Sequence, residues 1–305
     1  MAKTERELYY GQALGQVWSY EGYRTYEKAY WDWHVLPFAD DHSKRNPTFV
    51  TSWKLWPGTP RSARSRLGFS YSPDRITRRV VGKSILEVGS AMGAAYGFMK
   101  ESGLVELSRY TGFEVSDMGH QRSKRMHPEA NWVQGDFTKH ALTQRYDYSF
   151  ERHAVHHMPS PVEQYEKMIA HTDLAVNVVF VGTLYGETIS DLNKAAYRYS
   201  DQGVYYFNVI NLLDVVRIGL REGFNHIRVC YYGEHEACST EPNAEQFMLE
   251  EIQRAGVQRY MVRMAKCPSV RRPLLYAFPW RPGLRSAPAL RALRGELQGL
   301  AEKHR

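Results

Sequence analysis

The ten residues Ser84-Ile-Leu-Glu-Val-Gly-Ser-Ala-Met-Gly93 constrain this chain more than any other stretch. A short apolar strand carries an acid, Glu87, near its C-terminal end and runs into a turn of small residues that opens a helix. Glycines there let backbone approach a ligand where a side chain would clash, and Glu87 places a fixed negative charge where a cation or a hydroxyl can be held. Turns of this kind also join strand to helix in α/β proteins that bind nothing at that point, so the neighbouring segments decide.

Those neighbours continue one pattern. Tyr110-Thr-Gly-Phe-Glu-Val115 reads as a second strand ending in an acid, Glu114, 27 residues after Glu87. That is the usual place for a carboxylate accepting hydrogen bonds from both hydroxyls of a ribose. Asn131-Trp-Val-Gln-Gly-Asp-Phe137 reads as a third strand ending in Gly135-Asp136-Phe137. A carboxylate there can accept from an adenine amino group, and a neighbouring ring can stack on the base. Tyr146-Asp-Tyr-Ser-Phe-Glu-Arg-His-Ala-Val-His-His-Met-Pro159 is a fourth strand leading through His-His into a helix near Pro161.

An acid strand, a Gly turn, a ribose acid, Gly-Asp, then Tyr-Asp followed by His-His-Met-Pro: in this order the elements resemble the class I S-adenosylmethionine-dependent methyltransferases, over roughly residues 80–267. The resemblance is specific to the superfamily and not to a substrate. It implies an α/β fold, a Rossmann-like seven-stranded sheet of order 3-2-1-4-5-7-6 with the last strand antiparallel, and S-adenosyl-L-methionine as cofactor. It carries Glu87, Gly89, Ser90 and Gly93 over to the methionine part of the cofactor, Glu114 to the ribose, and Asp136 with Phe137 to the adenine. One position departs: Ala91 stands where the family's turn has its middle glycine. An alanine is tolerated there where φ is negative, which predicts a slightly displaced or looser cofactor. A nicotinamide dehydrogenase fits less well, because its fingerprint wants glycines at Ala91 and Ala94 and leaves Gly135-Asp136 unexplained.

The chain of 305 residues has room for one domain of about two hundred residues plus extensions. No stretch approaches the roughly twenty apolar residues of a membrane span, and Met-Ala-Lys-Thr-Glu-Arg-Glu lacks a secretory apolar core, so a cytoplasmic protein without membrane contact is expected. Cys230, Cys238 and Cys267 lack the count for a disulfide framework and the spacing of a zinc site, and no metal is expected.

Three regions are expected: an N-terminal helical lid and linker over 1–80, the cofactor-binding domain over 81–267, and a basic tail over 268–305. Five of the seven tryptophans fall in the first region, where Tyr20, Tyr23, Tyr26 and Tyr30 repeat at helical spacing. These rings either pack or roof a substrate pocket. In the core, a fifth strand is expected over 175–184. The best helix lies between Asn208 and Gly223, and a closing hairpin joins Ile227–Tyr232 to Arg259–Lys266. A last helix is expected from Ala287 to Lys303. The net charge of +7 is concentrated in linker arginines between Arg61 and Arg79 and in tail arginines from Arg271 to Arg294. They read either as solvated faces or as a surface for an anionic partner.

The segment past the fourth strand supplies the candidate chemistry. Methyl transfer to an alcohol calls for a positioned base, whereas an amine needs little more than alignment. His153 is the expected base, with Glu151 and His156 as further catalytic candidates, and His157 reads as a packing residue. Arg152, Tyr185, Tyr197 and Tyr206 are substrate candidates, joined by Glu187 and Tyr205 from the same tyrosine-rich insertion. Glu151 and Arg152 either orient the acceptor or pair as surface charges. The expected activity is methyl transfer to a small-molecule acceptor, foremost O-methylation of a sugar or other hydroxylated metabolite. N-methylation of an amino sugar or amine stays open, as does RNA binding and modification through the arginine-rich segments. Nucleic acid is not the expected partner, and a homo-oligomer stays open.

Overall fold

The computed structural model describes residues 82–101, 109–152, 154–158, 160–184, 196–200, 203–208, 210–234, 246–247, 258–279 and 288–304. The expected lid over 1–80, His153, Tyr185, Glu187, Cys238 and the linker arginines lie outside these residues.

The elements alternate in the order a doubly wound sheet requires. The first half runs β1 (Ile85–Val88), α1 (Ala94–Glu101), β2 (Tyr110–Glu114), α2 (Asp117–Met126), β3 (Asn131–Gln134) and β4 (Tyr146–Arg152). After a single 3-10 turn over Val155–His157 come α3 (Pro161–Ala170), β5 (Thr172–Thr183), β6 (Ala196–Ser200), β7 (Gly203–Phe207) and β8 (Ile210–Asn211). The chain continues with α4 (Leu212–Arg221), β9 (His226–Glu234), β10 (Gln246–Phe247), β11 (Gln258–Ala265), β12 (Leu274–Pro279) and α5 (Pro288–Lys303).

The main sheet has the order β12-β9-β11-β5-β4-β1-β2-β3. β1 is parallel to β2 and β4, and β11 is antiparallel to both β5 and β9. With β9 as sixth and β11 as seventh core strand, this is the expected 3-2-1-4-5-7-6 order, with the two-residue β8 pairing on β5 beside it and one further unexpected strand at the edge. That strand, β12, pairs parallel with β9 at the edge. All four residues of β1 are buried, the pattern of a central parallel strand covered on both faces. Strand order reverses between β1 and β4, and the crevice beyond their C-terminal ends is where open α/β sheets bind ligands.

Two helices show how local chemistry sets the frame. α4 starts where Asn211 Oδ1 accepts from the Leu213 N–H at 2.7 Å, and Gly223 follows its end at φ 83°. The cap is thus Asn211, just after Ile210 and Asn211 pair with Gly182 and Thr183 of β5. In α5, Leu290, Leu293, Leu297 and Leu300 recur at helical spacing, are all buried, and join the core cluster. Arg271, Arg272, Arg291 and Arg294 of the same region are exposed. Cys230 is buried, and burial pushes its thiol pKa up. Among the described residues no helix is long and apolar enough to cross a membrane.

Candidate functional site

The turn after β1 is tied down from three sides. The Gly89 and Ser90 N–H groups both donate to Phe113 O of β2, at 3.0 and 2.9 Å. Gly89 has φ 74°, and a Cβ there would lie 2.3 Å from Ala154 Cβ, so glycine is required where the β1 turn meets the tip of β4. Gly93 has φ 72°, with Trp132 closing the space a side chain would need. Ala91 has φ 48°, contrary to the negative φ expected of it. A left-handed L-residue costs roughly 1–2 kcal/mol, so the surroundings must hold it. Its N–H donates to Glu114 Oε2 at 2.5 Å, and its carbonyl accepts from Ser123 Oγ at 3.0 Å.

Glu114 closes β2 as expected, and its other oxygen accepts from the Ser116 N–H at 2.8 Å. Ser116 also caps α2 by accepting from the Gly119 N–H at 3.0 Å, a role that Ser followed by Asp at a helix start announces. Gly135 N donates to Glu114 O, which sets the end of β3 beside the end of β2. Asp136 is half-buried there, with Oδ1 accepting from the Thr138 N–H at 2.8 Å.

Phe137 is not the stacking ring expected at this corner. It is 2% exposed, its centroid lies 5.3 Å from that of Phe113 in an edge-on contact, and Lys167 Nζ sits 4.2 Å above it. Lys167 also donates to Phe137 O, Thr138 O and His140 O, so one ammonium from α3 ties the whole Phe137–His140 turn. Burial lowers the pKa of that ammonium, and Asp136 and Glu163 partly restore it.

The surroundings of Glu87 oppose the charge expected on it. Its side chain is buried and accepts from the Tyr110 hydroxyl. Burial pushes its pKa up to about 8, against the opposing effects of Tyr110 and the Arg152 charge. Burial thus favours the neutral acid over the fixed anion. Ser90 in the same turn is buried, and its Oγ has no hydrogen-bond partner among the described groups.

The tip of β4 differs most from expectation. Glu151 is 0% exposed; Oε1 accepts from the Tyr165 hydroxyl at 2.9 Å, and Oε2 accepts from the Ala154 N–H at 2.9 Å and the Val155 N–H at 3.4 Å. Burial raises its pKa to about 7. This carboxylate faces the core and braces the tip, which sets it against the reading of Glu151 and Arg152 as paired surface charges. Arg152 is half-buried, and its charge acts on Glu87 and Tyr110. His156 lies in the 3-10 turn, and His157 is buried, as its packing role requires.

The tyrosine-rich insertion forms an antiparallel hairpin of β6 and β7, with Tyr197 opposite Tyr206 and Arg198 opposite Tyr205. β10, from the insertion between β9 and β11, adds a third strand with Phe247 opposite Tyr197. β7 lies against the 155–157 turn. Next to it Asn208, fully buried, donates from Nδ2 to Met158 O at 2.7 Å. The hairpin carrying the substrate candidates is therefore fastened to the tip carrying the catalytic ones. Asn208, Tyr165, Ser123 and Lys167 escaped sequence reasoning, since each acts on a partner far along the chain.

No protein-family model and no curated protein matches the chain. Among solved structures it is similar to the N-terminal domain of EvdMO1 in the presence of S-adenosylhomocysteine and D-fucose, at 12% identity and TM-score 0.42, over 61% of this chain and 77% of that one. It is similar to magnesium protoporphyrin IX methyltransferase from Synechocystis PCC 6803 with bound S-adenosylhomocysteine, at 12% identity and TM-score 0.43, over 76% and 93%. Phosphoethanolamine N-methyltransferase 2 of Haemonchus contortus, in complex with S-adenosyl-L-methionine, is matched at 13% identity and TM-score 0.43, over 74% of this chain and 58% of that one. Likenesses at this level add nothing to what the strand order and the turn residues themselves give.

Proposed function

We propose that this chain is an S-adenosylmethionine-dependent methyltransferase acting on a small molecule, foremost at a hydroxyl of a sugar or similar metabolite. The observation that carries the reading is one juxtaposition. A left-handed Gly89–Gly93 turn lies where strand order reverses, beside acids closing β2 and β3, in a sheet of order 3-2-1-4-5-7-6 whose antiparallel strand is β11.

The residues present fit this cofactor. Glycines at 89 and 93 keep side chains off the turn, and the buried Ser90 hydroxyl has capacity for a partner. Both Glu114 oxygens accept backbone N–H groups, and a carboxylate oxygen has lone pairs for more than one donor, a ribose hydroxyl among them. Asp136 stands at the neighbouring strand end to accept from an amino group. When bound, S-adenosylmethionine supplies a methyl already activated on a sulfonium. The chain's own residues must then align the acceptor, exclude water and, for an alcohol, take its proton. With Glu151 occupied in bracing, His153 is the proposed base and His156 its alternate. Arg152 and the Tyr185, Tyr197 and Tyr206 region would hold the acceptor.

Calorimetric titration with S-adenosylhomocysteine tests the cofactor half of this reading. Binding at micromolar affinity or better is expected, and tight NAD binding in its place would overturn it. Incubation with S-adenosylmethionine and panels of sugars, amino sugars and phenols, read by mass spectrometry, tests the acceptor half. Methylation of amines alone would replace the O-methyl reading.

A further inference from the structure

We infer that Ser123, together with Glu114, is a positioning residue that holds Ala91 in the left-handed conformation on which the cofactor turn depends. The inference rests on reading that turn as the cofactor site. The φ and ψ of a residue are rotations of the peptide planes on either side of its Cα. The plane before Ala91 is anchored through its N–H on Glu114 Oε2, and the plane after it through its carbonyl on Ser123 Oγ. Fixing both planes fixes both angles. The two anchors come from consecutive elements, the end of β2 and the middle of α2, so one β-α unit sets the shape of a turn that another strand begins.

Three details match this assignment. Ser123 is completely buried within α2, so its hydroxyl has no water to satisfy it. Its Oγ lies 3.0 Å from both Ala91 O and Gly119 O, and a serine inside a helix normally uses only the carbonyl four residues back. Position 119 is glycine, and a Cβ there would sit 2.9 Å from Ala91 O and 3.1 Å from Glu114 Cγ, in the space that both anchors share. The clamp answers the one departure of the turn from an all-glycine pattern. A glycine in place of Ala91 would adopt positive φ without help, whereas the alanine does not.

That contrast supplies the test. Wild type, Ser123→Ala, Ala91→Gly and the double variant are compared by thermal unfolding without ligand and by calorimetric titration with S-adenosylhomocysteine. Losing one buried hydrogen bond should weaken binding roughly three- to tenfold when Ala91 is present. In the Ala91→Gly background the same change should cost less than about twofold, since the residue no longer needs holding. The unfolding midpoint should follow the same pattern. A serine that merely fills space in α2 would lose equally in both backgrounds, and that result, or no loss in either, overturns the inference. If the wild type does not bind S-adenosylhomocysteine, the cofactor reading falls. The unfolding cycle then still decides the clamp: a midpoint drop confined to the chain that keeps Ala91 sustains it, and equal drops refute it.

Discussion

Glu114 and Glu151 end neighbouring parts of the same sheet edge, both are buried, and both accept backbone N–H groups from the turn that follows or faces them. A phenol hydroxyl marks the surroundings of Glu151. Glu114 accepts from the Ala91 and Ser116 N–H groups of two loops. Glu151 is met in addition by the hydroxyl of Tyr165, which reaches in from α3 and turns the carboxylate toward the core. An acid at a strand's C-terminal end is therefore not a site residue by position alone; the helix packed behind it decides whether it serves ligand or frame.

Three substitutions test that contrast where it is sharpest. His153→Ala should lower turnover by roughly a hundred- to ten-thousand-fold if this residue is the base, with S-adenosylhomocysteine affinity nearly unchanged. Steady-state kinetics beside calorimetry checks it, and a near-normal rate would move the base to His156 or the acceptor to an amine. Glu151→Ala should instead act on stability, by about 2–4 kcal/mol in chemical denaturation, because the Tyr165 hydroxyl and the Ala154 N–H lose their buried partner. Glu151→Gln keeps an acceptor and should keep both fold and turnover. A stable Gln variant without activity would return Glu151 to catalysis.

The difference between the two glutamates was not legible in the sequence, and the reason is physical. Strands β1 to β5 announce themselves as short stretches rich in apolar and aromatic residues, and an acid at a strand end shows locally, so the placing of Glu114 and Asp136 could be read. The partners that orient such acids are not local. Tyr165 lies 14 residues beyond Glu151, and Ser123 lies 32 beyond Ala91. Only the packing of α3 and α2 brings them in. β12 was missed for a related reason: Leu274 to Pro279 is flanked by Arg and Pro and alternates between exposed and half-buried residues over its first half, the faint pattern of an edge strand. The start of α4 had two asparagines to choose from, and Asn211, paired with β5, is the one that caps it.

The corner at the end of β3 sharpens the comparison further, with a smaller effect. Asp136→Ala should weaken S-adenosylhomocysteine binding by about 1–3 kcal/mol and change stability little. Phe137→Leu should do the reverse, lowering the unfolding midpoint through lost contact with Phe113 while affinity holds within about twofold. Calorimetry and thermal unfolding on both variants separate the roles. If Phe137→Leu instead removes affinity, its ring meets the ligand after all.

Glu87→Gln has an effect that grows with pH and is smallest in mild acid. Burial raises the Glu87 pKa from its ordinary 4.5 to about 8, so between these values the folded chain keeps a proton that the unfolded chain has released. The stability that this protonated acid contributes is complete below about 4.5 and is lost as pH rises through about 8. Glutamine mimics the neutral acid and still offers an oxygen to the Tyr110 hydroxyl. Near pH 5 the two proteins should therefore unfold within a degree or two of each other, while from there to about pH 8 the wild type should fall progressively behind the variant, by several degrees in all. Glu151, raised to about 7 for the same reason, tilts both profiles in the same sense, so the informative quantity is the difference between them. Parallel profiles would mean that Glu87 is charged in the folded state, and would restore the fixed anion that the strand and its turn suggest when read alone.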